Sequence, residues 1–111
     1  MGTVGQLIVD SLVANGIDRL FCVPGESYLG LLDALYDRTD IDTVACRHEA
    51  GAGFMAIADA RLTGRPGVVC VSRGPGVAAV AVRIARSSVS VMRAGSVTSA
   101  THFAIDPYIA R

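Results

Sequence analysis

The feature that most constrains the fold of this chain is an alternation of short apolar runs with longer helical segments. Three runs consist almost wholly of strand-forming residues, and each contains one of the three cysteines, which lie 24 residues apart. The runs are Leu20–Val23, Thr43–Cys46 and Val68–Val71. Apolar strands that alternate with helices of this kind are typical of parallel sheets built from βαβ units. The sequence therefore predicts an α/β fold, an open parallel sheet with helices on both faces.

Helices are predicted before, between and after these runs from the helical spacing of apolar residues. Thr3 and Gln6 have the spacing of a capping box at the start of the first helix. The other predicted helices span about Ser27–Tyr36, Ala50–Leu62 and about Val77–Arg86. In the second helix, Leu29, Leu32 and Tyr36 are predicted to share one face.

The last quarter of the chain gives a weaker pattern. Val89–Met92 has the character of a fourth strand, but the residues from 96 to 111 show no clear period. We therefore predict one partial domain over residues 1–95 and leave 96–111 as an unassigned tail.

Composition excludes several kinds of partner. Ten Arg residues offset ten acidic residues, so no basic face favours a nucleic-acid or membrane partner. The longest uncharged apolar stretch, Gly74–Val82, is far shorter than the roughly 20 residues of a membrane span. The N-terminus shows no basic leader before an apolar run, so a cytoplasmic protein is expected.

The cysteines do not indicate a metal site or a disulfide framework. Their number is odd and no C-x-x-C pair occurs. Because each lies in or at the end of an apolar run, we expect all three to be small core residues.

The stretch with most chemical interest is Arg47-His48-Glu49, where the second run gives way to an alanine-rich helix. A carboxylate there lies at the usual ligand crevice of an open sheet and near the amide groups of the helix start. Pro24-Gly25 and Gly74-Pro75-Gly76 follow the first and third runs, and parallel strands end along one edge. This combination suits a flat heterocycle with a ring nitrogen facing Glu49. Local sequence alone leaves open an ordinary helix-cap role for Glu49.

A dinucleotide site is a weaker interpretation of the same region. Residues Gly74 to Ala79 fit the pattern G-x-G-x-x-G/A after a strand. The acid expected about 20 residues later is absent, since Asp106 is the first acid after that turn.

Several motifs occur in a recognisable order along the chain. They are Phe21-Cys22-Val23-Pro24-Gly25, Arg47-His48-Glu49-Ala50, Gly64-Arg65-Pro66-Gly67 and Gly74-Pro75-Gly76. This series, from about Val4 to Gly76, resembles the N-terminal pyrimidine-binding domain of thiamine-diphosphate-dependent enzymes of the acetolactate synthase and 2-oxo acid decarboxylase type. The resemblance implies the thiamine-diphosphate-binding pyrimidine-domain fold, here incomplete.

The resemblance also implies site residues. Glu49 would be the catalytic acid that hydrogen-bonds N1′ of the aminopyrimidine and so promotes loss of the thiazolium C2 proton. The cofactor-binding residues would be Pro24, Gly25, Glu49, Gly74, Pro75 and Gly76, with no metal ligand. The chemistry requires an acid that can be protonated near neutral pH, which an apolar crevice favours.

Departures from the family limit what the chain would do alone. Ala79 stands where the family usually has Asn, and the Gly-Asp-Gly motif that anchors Mg²⁺ and the diphosphate on a separate domain is absent. We therefore expect no tight binding of thiamine diphosphate by this chain alone. Its partner would be a complementary diphosphate-binding domain or a second copy in a homo-oligomer. Two interpretations remain: the pyrimidine half of an enzyme acting on 2-oxo acids, or a non-catalytic, partner-binding remnant of the same fold.

Overall fold

A computed structural model describes residues 2–72, 76, 89–94 and 102–104. The elements in chain order are α1 (Val4–Ala14), β1 (Arg19–Cys22), a 3-10 turn (Glu26–Tyr28), α2 (Leu29–Tyr36), β2 (Asp42–Ala45), α3 (Glu49–Thr63), β3 (Gly67–Ser72), β4 (Val89–Ala94) and β5 (His102–Ala104). The strands form one sheet in the order β2-β1-β3-β4-β5. The first four strands pair in parallel, and β5 pairs antiparallel to β4. The predicted open α/β sheet is confirmed.

Helices cover both faces of the sheet. Side chains that alternate along β1 and β3 divide between two cores. One core, beneath α1 and α2, contains Val9, Leu20, Cys22, Leu31, Leu35, Val68 and Cys70. The other, beneath α3, contains Phe21, Ala52, Ala56, Val69 and Val71. The continuous apolar character of β1 and β3 follows from this burial on two sides.

Backbone packs closely on backbone at two points, where α3 meets the sheet and where α1 meets α2. A Cβ built on Gly67, the first residue of β3, would lie 2.0 Å from the carbonyl oxygen of Ala56. A Cβ on Gly5 of α1 would lie 2.2 Å from the carbonyl oxygen of Gly30. No side chain fits at either point, so glycine is required there for contact and not for conformational freedom.

The predicted start of α1 is confirmed. The side-chain oxygen of Thr3 accepts a hydrogen bond from Gln6 N at 3.2 Å, and Thr3 N donates to Gln6 Oε1 at 2.8 Å. The predicted helix at 50–62 is observed as α3. The helix predicted at about 77–86 lies outside the described residues, and β5 lies within the segment that the sequence left unassigned.

The second helix presents a different face to the core than the apolar pattern suggested. Leu29 is 59% exposed and Tyr36 is 87% exposed, whereas Leu31 and Leu35 are buried. The segment begins with a 3-10 turn, and Tyr28 at the end of that turn is buried beside the same core. Because Tyr28 is anchored to the sheet, the residues three and seven positions later face inward.

The cysteines follow the prediction in two cases of three. Cys22 and Cys70 are buried register partners on neighbouring strands. Burial raises the pKa of both thiols, that of Cys70 to about 12. Cys46 follows β2, the edge strand of the sheet, and is half-buried, with its sulfur 3.6 Å from Met55 Sδ. It packs against the core beneath α3 without being fully buried in it, so the expected core position holds only in part.

In the described part of the chain, no helix has the length and apolar character needed to cross a membrane.

Candidate functional site

Glu49 lies where the sequence placed it, at the carboxyl end of β2 and the start of α3. It is the first helical residue and is half-buried. The helix cap is its neighbour His48, which has extended backbone. The ring Nδ1 of His48 accepts a hydrogen bond from Ala50 N at 3.1 Å. Since His48 fills the capping role, the carboxylate of Glu49 is available for other contacts near the positive end of α3.

Gly76, which follows β3 in sequence, lies beside the Glu49 side chain. A Cβ built on the buried Gly76 would lie 3.3 Å from Glu49 Cγ and 3.5 Å from Glu49 Oε1. The same Cβ would lie 3.4 Å from Val71 Cβ. Any side chain at position 76 would therefore press on the carboxyl group or on the end of β3. The sequence predicted these two residues as neighbours, and the structure brings them together.

The loop after β1 packs against the end of β3. Gly25 has extended backbone, and a Cβ on it would lie 2.9 Å from Ser72 Cβ. The hydroxyl groups of Ser27 and Ser72 are 2.6 Å apart and half-buried. Pro24 is exposed at the rim of this loop. The predicted Pro24-Gly25 segment thus lies over the last residue of β3.

Tyr28 connects the same loop to the interior. Its hydroxyl donates to the carbonyl of Val23 and lies 3.4 Å from the carbonyl oxygen of Cys70. Burial, followed by the nearby Cys22 and Cys70 thiols and the Glu49 carboxylate, raises the pKa of Tyr28. The phenol therefore stays neutral and remains a hydrogen-bond donor at physiological pH.

The sequence pattern gave no functional role to Tyr28 or Ser27. It attached no role to Ser72 either. No local pattern marks these residues, because Ser27 and Ser72, and likewise Tyr28 and Cys70, lie more than 40 positions apart in sequence. The predicted Gly74 and Pro75 lie outside the described residues.

The donor set of this site suits an aromatic nitrogen base. A half-buried carboxyl group, which can accept from or donate to a ring nitrogen, lies beside the buried Gly76. Among the described residues, no group of three His, Cys, Asp or Glu side chains could hold a metal ion. These residues therefore fit the heterocyclic part of a cofactor and provide no metal centre of their own.

Comparison with known proteins agrees with this arrangement. Residues 2–93 match the family described as thiamine pyrophosphate enzyme, N-terminal TPP binding domain. The chain is 45% identical over 76 residues to acetolactate synthase of Bacillus subtilis, a match that covers 68% of this chain and 13% of that protein. It is 43% identical over 74 residues to the mitochondrial acetolactate synthase catalytic subunit of Aspergillus candidus, covering 67% of this chain and 11% of the relative.

A third relative extends the match towards the end of the chain. A probable 2-ketoarginine decarboxylase of Pseudomonas aeruginosa is 40% identical over 102 residues, which is 92% of this chain and 18% of that protein. The chain thus spans between about a tenth and a fifth of the length of these relatives. On the extent of the family match, the chain belongs to the thiamine pyrophosphate enzymes and corresponds to their N-terminal TPP binding domain.

Proposed function

We propose that this chain is the pyrimidine-binding half of an acetolactate-synthase-like enzyme that acts on 2-oxo acids. In this proposal it works only with a complementary diphosphate-binding domain, which supplies Mg²⁺ and the phosphate contacts. Membership of the thiamine pyrophosphate enzymes supports the use of thiamine diphosphate. The relatives, acetolactate synthases and a probable 2-ketoarginine decarboxylase, support a 2-oxo acid substrate.

The contact between Glu49 and Gly76 carries the proposal. It places a half-buried carboxyl group against bare backbone at the carboxyl edge of the sheet, where α/β folds bind ligands. When bound, thiamine diphosphate supplies an acidic carbon and an electron sink for decarboxylation. Glu49 would hold a proton at the ring nitrogen that faces it, and His48 would keep the helix start in place without taking part in proton transfer.

The glycine segments have a complementary role in this proposal. Pro24-Gly25 borders one side of the pyrimidine, and the turn Gly74-Pro75-Gly76 borders the other. A Cβ at position 76 would lie 3.3 Å from Glu49 Cγ, so a larger residue there would shift the Glu49 side chain. The absence of a side chain at Gly76 thus leaves room for Glu49 in the position that this proposal requires.

The test is exchange of the C2 proton of thiamine diphosphate in deuterated water, followed by proton NMR. The full chain is mixed with Mg²⁺, the cofactor and the diphosphate-binding domain of the Bacillus subtilis relative. A chimera of that relative, in which the matched 76 residues are replaced by those of this chain, removes any dependence on association. We expect faster exchange than with the diphosphate-binding domain alone.

The Glu49→Gln variant should lower the exchange rate by about 10²- to 10⁴-fold, the usual contribution of general acid–base catalysis. Asp33→Asn, which removes an exposed carboxylate from α2, is the matched control and should leave the rate unchanged. Equal rates for Glu49→Gln and the unmodified chain would refute the assigned role. No acceleration by the unmodified chain in either format would instead favour the non-catalytic alternative.

A further inference from the structure

The contacts around Ser72 join two segments of the site that are distant in sequence. Ser72 is the last residue of β3, and its hydroxyl lies 2.6 Å from that of Ser27, which follows the Pro24-Gly25 loop. Gly76, four residues later in sequence, lies beside Glu49. Ser72 therefore contacts the Pro24-Gly25 loop, which the proposed function assigns to the pyrimidine, and precedes Gly76 in sequence.

Three contacts hold the loop after β1 at this position. Gly25 approaches Ser72 so closely that a Cβ would lie 2.9 Å from Ser72 Cβ and 3.2 Å from its hydroxyl oxygen. The Ser27–Ser72 hydrogen bond is half-buried, so water competes with it only in part. The Tyr28 hydroxyl donates to the carbonyl of Val23, directly before Pro24. The loop is thus fixed on both sides of Gly25.

These contacts determine where the Pro24-Gly25 loop lies relative to the end of β3. The Val23 N to Cys70 O hydrogen bond, at 3.2 Å, sets the strand ends in register but lies before the loop. Beyond that point, the Ser27–Ser72 bond joins the loop to the end of β3 through side chains, alongside the contacts of the Tyr28 hydroxyl.

We propose that Ser72 and Ser27 are positioning residues that set the width of the pyrimidine slot opposite Glu49. This inference rests on the proposed function. The two hydroxyl groups do not touch the cofactor; they act through the backbone of Gly25. Loss of either hydroxyl allows the Pro24-Gly25 loop to move away from β3, which weakens cofactor binding and lowers proton exchange at saturating cofactor.

The experiment measures the Kd of thiamine diphosphate and the C2 exchange rate at saturation for Ser27→Ala, Ser72→Ala and the double variant, in the chimera described above. Each single variant should raise Kd and lower the saturated exchange rate by about 2- to 10-fold, the range for one neutral hydrogen bond. The double variant should be no worse than the singles, because both remove the same bond. Ser27→Thr, which keeps the hydroxyl group, should restore both values.

Ser11→Ala is the matched control. It also removes a serine side-chain hydrogen bond, from Ser11 Oγ to Leu7 O at 2.8 Å in α1, so it reports on stability alone and should leave Kd and exchange unchanged. Single variants whose effects add independently, or that leave both values unchanged while Glu49→Gln abolishes exchange, would overturn the positioning role. Absence of exchange in the unmodified chimera would count against the proposed function instead, so the two failures are distinguishable.

Discussion

The two faces of the sheet are packed by different means. On the face beneath α1 and α2, large aliphatic side chains such as Leu20, Leu31 and Leu35 fill the space. On the face beneath α3, the helix contributes only Ala52 and Ala56 as fully buried hydrophobic residues. There, backbone approaches backbone at Gly67. Large side chains that fill the space stabilise one face, and close approach of the α3 backbone to the sheet stabilises the other.

The difference bears on the site, because Glu49 is the first residue of α3. A helix that lies this close to the sheet brings its first turn near Gly76, which lies beside the Glu49 side chain. Larger residues at the α3 face would lift the helix and separate the two. The close packing of α3 on the sheet thus determines the position of Glu49.

The largest effect is expected from shortening a core side chain on the face beneath α1 and α2. Leu20 is completely buried, so Leu20→Ala should lower the free energy of unfolding by about 2–5 kcal/mol, through lost burial and an incompletely collapsed cavity. Urea unfolding of the full chain measures the change. Leu7→Ala, at a position of α1 that is 66% exposed, is the control and should change stability by no more than about 0.5 kcal/mol. Similar losses for both would show that this face is not a packed core.

On the face beneath α3, the addition of a side chain should be destabilising. Gly67→Ala places a Cβ 2.0 Å from Ala56 O, so the helix must shift, at an expected cost of about 1–3 kcal/mol in the free energy of unfolding. Gly51→Ala in the same helix has no atom within 4 Å of the added Cβ and should stabilise the chain by up to about 1 kcal/mol. If the two variants unfold at the same urea concentration, close approach of α3 to the sheet is not a constraint.

The helix caps give a smaller contrast between the faces. Thr3→Ala removes the side-chain half of the α1 capping box, the hydrogen bond from Gln6 N to Thr3 Oγ1, and should cost about 1 kcal/mol. His48→Ala removes one exposed hydrogen bond, to Ala50 N, and should cost about 0.5 kcal/mol. Thermal unfolding followed by circular dichroism compares the two. A larger loss for His48→Ala would mean that the start of α3 depends on its cap more than on its packing.

The smallest effect is expected at the amino-terminal edge of the sheet, which belongs to neither core. Arg65 donates to Gly16 O at 2.9 Å and pairs with Asp18 at 3.1 Å, and both charged side chains are substantially exposed. Arg65→Ala should therefore cost about 0.2–1 kcal/mol, and less as salt is added. Urea unfolding at low and high salt provides the measurement. A loss comparable with that of Leu20→Ala would overturn the view that the two cores dominate stability.

Much of the fold follows from residues close in sequence. The alternation of apolar runs with helices predicted the open sheet, and Thr3 with Gln6 predicted the start of α1. The place of Glu49 at a strand end followed in the same way, since a strand end and a helix start are both local events. The phase of α2 did not, because the burial of Tyr28 depends on the carbonyl groups of Val23 and Cys70.

By itself, the sequence determined the class of fold, the limits of most elements and the position of Glu49 at the carboxyl edge. Only the tertiary structure decided that β1 lies between β2 and β3, and that Gly76 nevertheless lies beside Glu49. It alone revealed the bond between Ser27 and Ser72. The physical reason is range. Propensities and caps act within a few residues, whereas these contacts join segments that only the order of strands and the height of α3 above the sheet bring together.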